Sequence, residues 1–256
     1  MGTRSVIAGI PVYVISLKDS ETRRRNMTER LGALGIPFQF VDAIDGRTQR
    51  LPDQFDGARV MRDGFDSEGA IGCAMSHRLV HRIIAEGSST RALILEDDAK
   101  LSAEFPRALA TATTLDCDLV KLEGAPWKRH IIVGNVGPYS INVGVYPSMG
   151  TAAYLIHQSA AARFCQRAVI DQPIDLAFGD YRLALRVLEL TPYPAAQDHG
   201  LPRLAGCQPA VIKPSVRPSA IRRLARSALR RYARVRAYGW RTALALELTR
   251  VAGNTR

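Results

Sequence analysis

Three consecutive carboxylates, Glu96-Asp97-Asp98, close the apolar run Ala92-Leu93-Ile94-Leu95. Acidic side chains this close repel one another, and burying them beside an apolar strand adds a desolvation cost. A hard divalent cation, Mn2+ or Mg2+, offsets both, because such ions take one or two carboxylates and fill their shells with water and phosphate oxygens. If the strand geometry continues, Glu96 and Asp98 point to one side and Asp97 to the other. Asp98 is therefore the first expected metal ligand, with Glu96 as the second carboxylate or a sugar contact. The competing reading is a solvated acidic turn in which Asp98 caps the next helix.

Other residues of chemical type stand nearby in sequence. His77 and His81 share a helix face at i, i+4 spacing. A zinc site there would need a third ligand, and no H-E-x-x-H glutamate accompanies the pair, so metal binding by it is not expected. Gly69 and Gly72 open the same helix and would allow close backbone approach. Arg23-Arg24-Arg25 lie on a first helical turn, near a positive helix N-terminus, where a phosphate could be met; a solvated face is the plainer reading.

The elements that would position these groups alternate in type. A buried-strand pattern over 12–17 is closed by Lys18-Asp19-Ser20, and Ser20 caps a helix expected over 20–34. Strand 38–41 follows, then the turn Asp42-Ala43-Ile44-Asp45-Gly46, a polar irregular stretch to about 67, helix 69–86 and strand 92–95. Helix 103–113, strand 118–122, strand 152–156, helix 159–168 and the segment 173–186 complete the body. This β-α-β alternation implies an α/β fold with a mostly parallel sheet and helices on both faces, whose ligands bind at the carboxyl ends of strands. The acidic triplet lies at such an end. Residues 124–150, with five glycines and three prolines, read as a hairpin and a candidate lid in which Trp127 and Tyr139 could stack on a sugar.

Charge divides the chain. Of 35 Lys/Arg and 24 Asp/Glu, twelve basic residues and one acid fall in 213–256, so the whole net charge of +11 belongs to the tail. There Ile221, Leu224, Ala225, Ala228, Leu229, Tyr232 and Val235 fall on one arc of a helix, and Arg222, Arg223, Arg226, Arg230, Arg231 and Arg234 on the other. Three readings stand: a helix lying through 219–241 on an anionic membrane surface, a solvated Arg face docked to its own domain, or a nucleic-acid contact without a recognised motif. The organisation expected is a domain over 1–200, with a donor half at 11–123 and a lid and acceptor half at 124–200, a Pro-rich connector at 201–218, and the tail at 219–256. Four cysteines more than forty residues apart argue against a disulfide framework or zinc ribbon, and no apolar run near the start is long enough for a bilayer or a signal peptide. Neither secretion nor membrane spanning is expected.

Several stretches together resemble glycosyltransferase family 25, the lipooligosaccharide-type galactosyltransferases. They are Val14-Ile15-Ser16-Leu17 with Arg23-Arg24-Arg25, Phe40 through Gly46, Gly69-Ala70-Ile71-Gly72-Cys73 with Ser76-His77, and Ala92 through Asp98. Weaker matches continue at Gly150-Thr151-Ala152-Ala153-Tyr154 and Pro173-Ile174-Asp175. The resemblance covers about 11–197 and implies a GT-A-like fold, a UDP-sugar donor, most often UDP-galactose, a glycan acceptor and inversion at the anomeric carbon. It reads Glu96-Asp97-Asp98 as the counterpart of a D-x-D motif. Ser16, Leu17, Arg23, Arg24, Asp42, Gly72, Ser76, His77, Glu96 and Asp97 are then expected around the donor, with Asp98 and Glu96 on Mn2+ or Mg2+. Inverting displacement needs a base. Asp175 is the first choice because the family pattern has an Asp there, Asp180 the second and Glu123 the third; each could instead cap a helix or pair with an Arg such as Arg182. The function expected is a metal-dependent transferase acting on a lipid-linked glycan at the cytoplasmic face of a bacterial inner membrane. Rivals are an idle nucleotide-sugar-binding module and a nucleic-acid-associated protein.

Overall fold

Strand side chains alternate between faces, so an apolar run such as 92–95 must be covered on both sides, and the chain supplies helices for each. The computed structural model describes residues 9–46, 51–124, 130–144, 149–201 and 220–253, without side chains for 220–226 and 249–253. In chain order the elements are β1 (Val12–Ser16), α1 (Glu21–Ala33), β2 (Gln39–Asp42), β3 (Gln54–Phe55), β4 (Ala58–Val60), α2 (Glu68–Glu86), β5 (Arg91–Glu96), β6 (Ala99–Leu101), α3 (Phe105–Thr113) and β7 (Leu119–Lys121). There follow β8 (His130–Val136), β9 (Tyr139–Gly144), β10 (Ala153–His157), α4 (Gln158–Cys165), β11 (Val169–Ile170), α5 (Ile174–Ala177), β12 (Val187–Thr191), β13 (Ala195–Gln197), α6 (Ala220–Tyr238) and α7 (Trp240–Gly253).

Eight strands form one sheet in the order β2-β1-β5-β10-β7-β12-β9-β8. Val12, Val14, Leu93 and Leu95 pack with Met27 and Leu31 of α1 and with Phe105 and Leu109 of α3 on one face. Tyr13, Ile15, Ala92 and Ile94 pack with Val80 and Ile84 of α2 and with Phe164 of α4 on the other. The α/β layering with a mostly parallel sheet is therefore present: the pairings leave β1, β2, β5, β7, β8 and β12 running one way. β9 and β10 run against them. The reversal of β10, inserted between β5 and β7, was not readable from its apolar pattern, because hydrophobicity specifies which face is buried and not strand direction.

Three further expectations meet the structure here. The glycine-rich hairpin is β8–β9, and β9 pairs with β12, so the hairpin is the outer margin of the sheet and not a flap above it. Tyr139 is buried in the core beneath it, unavailable for stacking on a sugar, and Trp127 lies outside the described residues. The irregular stretch before α2 contains β3 and β4, which join β11 in a small second sheet, β11-β4-β3, built from strands too short to show a period. The connector expected at 201–218 also lies, from 202 onward, outside the described residues.

In the tail, α6 and α7 form a helical hairpin held by Arg234 to Glu247 at 2.9 Å. The Tyr238 hydroxyl donates to Val187 O and accepts from Val187 N, and Leu246 joins the core, so the tail is docked on the domain. In the apolar arc of α6, among the described side chains, Leu229, Tyr232 and Val235 face solvent, Tyr232 at 66% exposure.

Candidate active site

Neighbouring strands deliver the acidic triplet to one end of the sheet. Register pairs Ile15 with Glu96 and Ser16 with Asp42, so the ends of β1, β2 and β5 lie side by side. Asp97 is held there by the Ser16 hydroxyl at 2.8 Å and by Arg23 at 2.7 Å. Arg23 also reaches Asp98 at 3.5 Å, placing one guanidinium across two carboxylates. Arg24 turns the other way: it donates to the carbonyls of Ser16 and Leu17 at 3.1 Å each and pairs with Asp42, clamping β1 to β2. Arg25 faces solvent. Of the arginine triplet, Arg23 is thus the member that meets the acidic strand end.

Glu96 and Asp98 do not share an environment. A Glu96 carboxylate oxygen accepts from Thr151 and lies 3.1 Å from His77 Nε2. Burial pushes the Glu96 carboxyl up, but the His77 ring, the Thr151 hydroxyl and the Arg23 charge outweigh it and hold it below the ordinary value. Asp98 keeps Gln197 at 3.1 Å, while its Oδ1 is buried without a hydrogen-bond donor among the described residues. Burial and the Glu96 charge push it up to about 6.

Glu123, just past β7, is the third carboxylate of this group. Burial, with added repulsion from Glu96 and Asp98, pushes it up to about 7 despite the Lys121 ammonium, and its Oε2 also lacks a donor. Gly150 lies against it with φ +94°, and a Cβ there would run into the carboxylate. Raised carboxyl groups with orphaned oxygens mark a place where negative charge is concentrated beyond what the surrounding arginine and lysine neutralise. That donor set, oxygen only and charge-rich, fits a hard divalent cation.

Asp175, at the start of α5, accepts from Gly150 N at 3.4 Å and Leu176 N at 2.8 Å, so Gly150 lies between the two candidate bases. Asp180 is placed differently. Its carboxylate takes Arg182, Arg167 and Gln172, so an ion-pair network occupies it and it is not brought forward as a base. Ser76 and Gly72 have packing duties: Ser76 Oγ accepts from Ile44 N at 2.8 Å, and Gly72 lets the Ile44–Gly46 backbone lie against α2.

Behind Glu96 runs a buried polar chain. His77 Nδ1 lies 2.8 Å from the Tyr154 hydroxyl, which lies 2.9 Å from His81 Nε2. Burial, with the nearby His77 and Arg78, lowers His81 well below its ordinary value, so its ring is neutral at physiological pH. Sequence reasoning missed Thr151, Tyr154, Lys121 and Gln197 as site residues. Lys121 left a signal, a lone ammonium inside Val120-Lys121-Leu122. It donates to the carbonyls of Met149 at 3.1 Å and Gly150 at 2.6 Å, tying β7 to the loop before β10. Thr151 and Tyr154 left only their place in a weak family match, since their partners arrive from β5 and α2, more than fifty residues away.

Residues 9–132, which include β1, the acidic triplet and Glu123, match the sequence profile described as glycosyltransferase family 25 (LPS biosynthesis protein). The chain is 28% identical over 210 residues to a putative glycosyltransferase of Haemophilus influenzae, covering 73% of this chain and 70% of that protein. It is 29% identical over 211 residues to the lacto-N-neotetraose biosynthesis glycosyltransferase LgtB of Neisseria gonorrhoeae, covering 73% and 74% respectively. A match at 26% identity to procollagen galactosyltransferase 1-A of Xenopus laevis takes in 51% of this chain and spans only 25% of that longer protein. The acidic strand end thus lies inside the segment that matches the family 25 profile, and over 73% of its length the chain is similar to glycosyltransferases of Haemophilus and Neisseria.

Proposed function

We propose that the protein transfers a hexose, galactose in the first instance, from a UDP-sugar to a lipooligosaccharide-type glycan, with inversion and with the help of Mn2+ or Mg2+. One observation carries the reading: at the carboxyl end of the sheet Glu96 is joined by Asp98 and Glu123, whose charge is left uncompensated. Asp98 and Glu123 would hold the cation by their orphaned oxygens, with Glu96 as a further carboxylate. A bound divalent ion would supply Lewis-acid neutralisation of the diphosphate leaving group. The galactose assignment leans on the galactosyltransferase named among the relatives, and the glycan class on LgtB.

The chain's own residues do the rest. Arg23, fixed on Asp97 and Asp98, keeps the strand end from springing apart by repulsion. Asp175 is the proposed base: it is half-buried, so one face remains open to an acceptor, and its carboxylate receives the acceptor hydroxyl proton. As that proton moves, the acceptor oxygen bonds to the anomeric carbon and the bond to the diphosphate oxygen breaks.

A lipid-linked acceptor is presented at a membrane, and no helix among the described residues is long and apolar enough to cross one. The exposed Leu229, Tyr232 and Val235 beside arginines favour surface attachment of the tail to an anionic leaflet, on the cytoplasmic side of a bacterial inner membrane. In a vesicle sedimentation assay, binding to anionic vesicles and its loss in a Leu229→Ser/Tyr232→Ser/Val235→Ser variant is expected. Binding to DNA instead, steeply weakened by salt, would point the tail to nucleic acid.

The central test is thermal stabilisation by UDP-galactose with and without Mn2+, on the wild type and on Asp98→Asn. Metal-dependent stabilisation that disappears in Asp98→Asn is expected, together with UDP release that requires a glycan acceptor. Equal stabilisation of the variant overturns the metal assignment. Binding without acceptor-dependent release overturns the transfer reading in favour of an idle binding module.

A further inference from the structure

Cys73 and His77 stand one helical turn apart on α2 and so share a face. Glu96 meets them from the end of β5: the Cys73 sulfur, a His77 ring nitrogen and a Glu96 carboxylate oxygen all lie within 4.8 Å of one another. No other three His, Cys, Asp or Glu side chains come as close among the described residues. We propose that these three residues bind a thiophilic divalent cation of the zinc class, at a site that adds Cys73 and His77 to Glu96, the carboxylate it shares with the hard-ion position at Asp98 and Glu123.

The ligand set decides the class of ion. Thiolate, imidazole and carboxylate together suit a borderline-soft metal, whereas Mg2+ and Mn2+ prefer oxygen alone. The pair His77/His81 cannot be the site, because His81 Nε2 is turned to the Tyr154 hydroxyl. That same hydroxyl serves the proposed site from behind. It can accept from His77 Nδ1–H and so leave the Nε2 lone pair for the metal, the outer support that metal-bound histidines ordinarily have. Thr151 orients the Glu96 carboxylate in the same way.

Access is open, since Cys73 is half-buried and the Glu96 side chain is 22% exposed. Three protein ligands leave a fourth position for water. Binding converts the Cys73 thiol to thiolate and releases one proton to solvent. Metal at Nε2 needs the ring proton on Nδ1, where the Tyr154 hydroxyl can accept it. Nothing in this inference depends on glycosyl transfer.

Titration of the full chain with cobalt(II) alone tests it, because a cobalt–thiolate bond gives a charge-transfer band that carboxylate or imidazole ligation does not. One equivalent of cobalt with that band, displaced by zinc, is expected. The band should persist in Cys117→Ser/Cys165→Ser/Cys207→Ser, in which Cys73 is the remaining thiol. Cys73→Ser should abolish the band and weaken binding by at least about tenfold, and His77→Gln should weaken it by a similar factor, comparable with the loss that outer-shell changes alone cause. Absence of the band in the triple-serine variant, or undiminished binding by Cys73→Ser, overturns the proposal.

Discussion

Replacing Tyr154 by Phe removes one oxygen atom from the centre of the protein and nothing else. The ring is fully buried and packs on His77, His81 and Phe178, contacts that a phenylalanine ring keeps. Its hydroxyl meets His77 Nδ1 at 2.8 Å and His81 Nε2 at 2.9 Å, and His81 Nδ1 already has no partner among the described residues. The variant therefore leaves two more buried ring nitrogens unpaired. At about 1–3 kcal/mol for each stranded buried group, less relaxation, the loss should be about 2–4 kcal/mol. For a chain of this size that is a fall in Tm of roughly 5–15 °C. Urea denaturation followed by circular dichroism should show a lower midpoint with an unchanged slope. In a cycle with His81→Leu, which removes one of the two partners, the effects should fall short of additivity by about 1 kcal/mol or more. A loss below about 0.5 kcal/mol, the size of an ordinary surface change, would refute the relay as a buried, mutually dependent chain.

Asp98 sits near 6, above the unfolded value, so its ionisation opposes folding as pH rises past 4 and does so fully above about 6. In chelator, Asp98→Asn should stabilise the metal-free protein by about 1–3 kcal/mol at pH 8 and by nothing below about pH 4, measured as the denaturation midpoint against pH; a uniform loss would contradict this. Asp180 is the opposite case: burial pushes its carboxyl up, but Arg182 and Arg167 hold it below the ordinary range. Its stabilisation is present above the unfolded value of about 3.9 and fades as pH falls through the folded one, so Asp180→Asn should cost about 2–4 kcal/mol at pH 7, with the two unfolding curves converging in acid. Gly150→Ala forces a left-handed backbone conformation on alanine and drives its Cβ into Glu123. A loss of about 2 kcal/mol and of UDP-sugar binding is expected, and Glu123→Ala in the same chain should recover part of the stability but not the binding.

Much of this molecule was legible from residue order alone. An apolar run ending in three carboxylates states locally that a buried strand opens onto a charged edge, because burial and repulsion are properties of the residues themselves. Helix α2, closed before Gly87, and the α/β alternation were likewise visible in periodicity and punctuation, whereas its cap by Ser67 came from the structure. The concentration of positive charge in the tail needed only counting. What tertiary structure alone decided was direction and partnership. That β10 runs backwards between β5 and β7 places Tyr154 against the α2 histidines and Thr151 on Glu96. It also let Asp97 be neutralised by Arg23 while Asp98 and Glu123 kept uncompensated charge. Hydrophobic pattern is a one-body property of each segment, whereas a carboxylate's proton affinity depends on which charges long-range packing brings within reach.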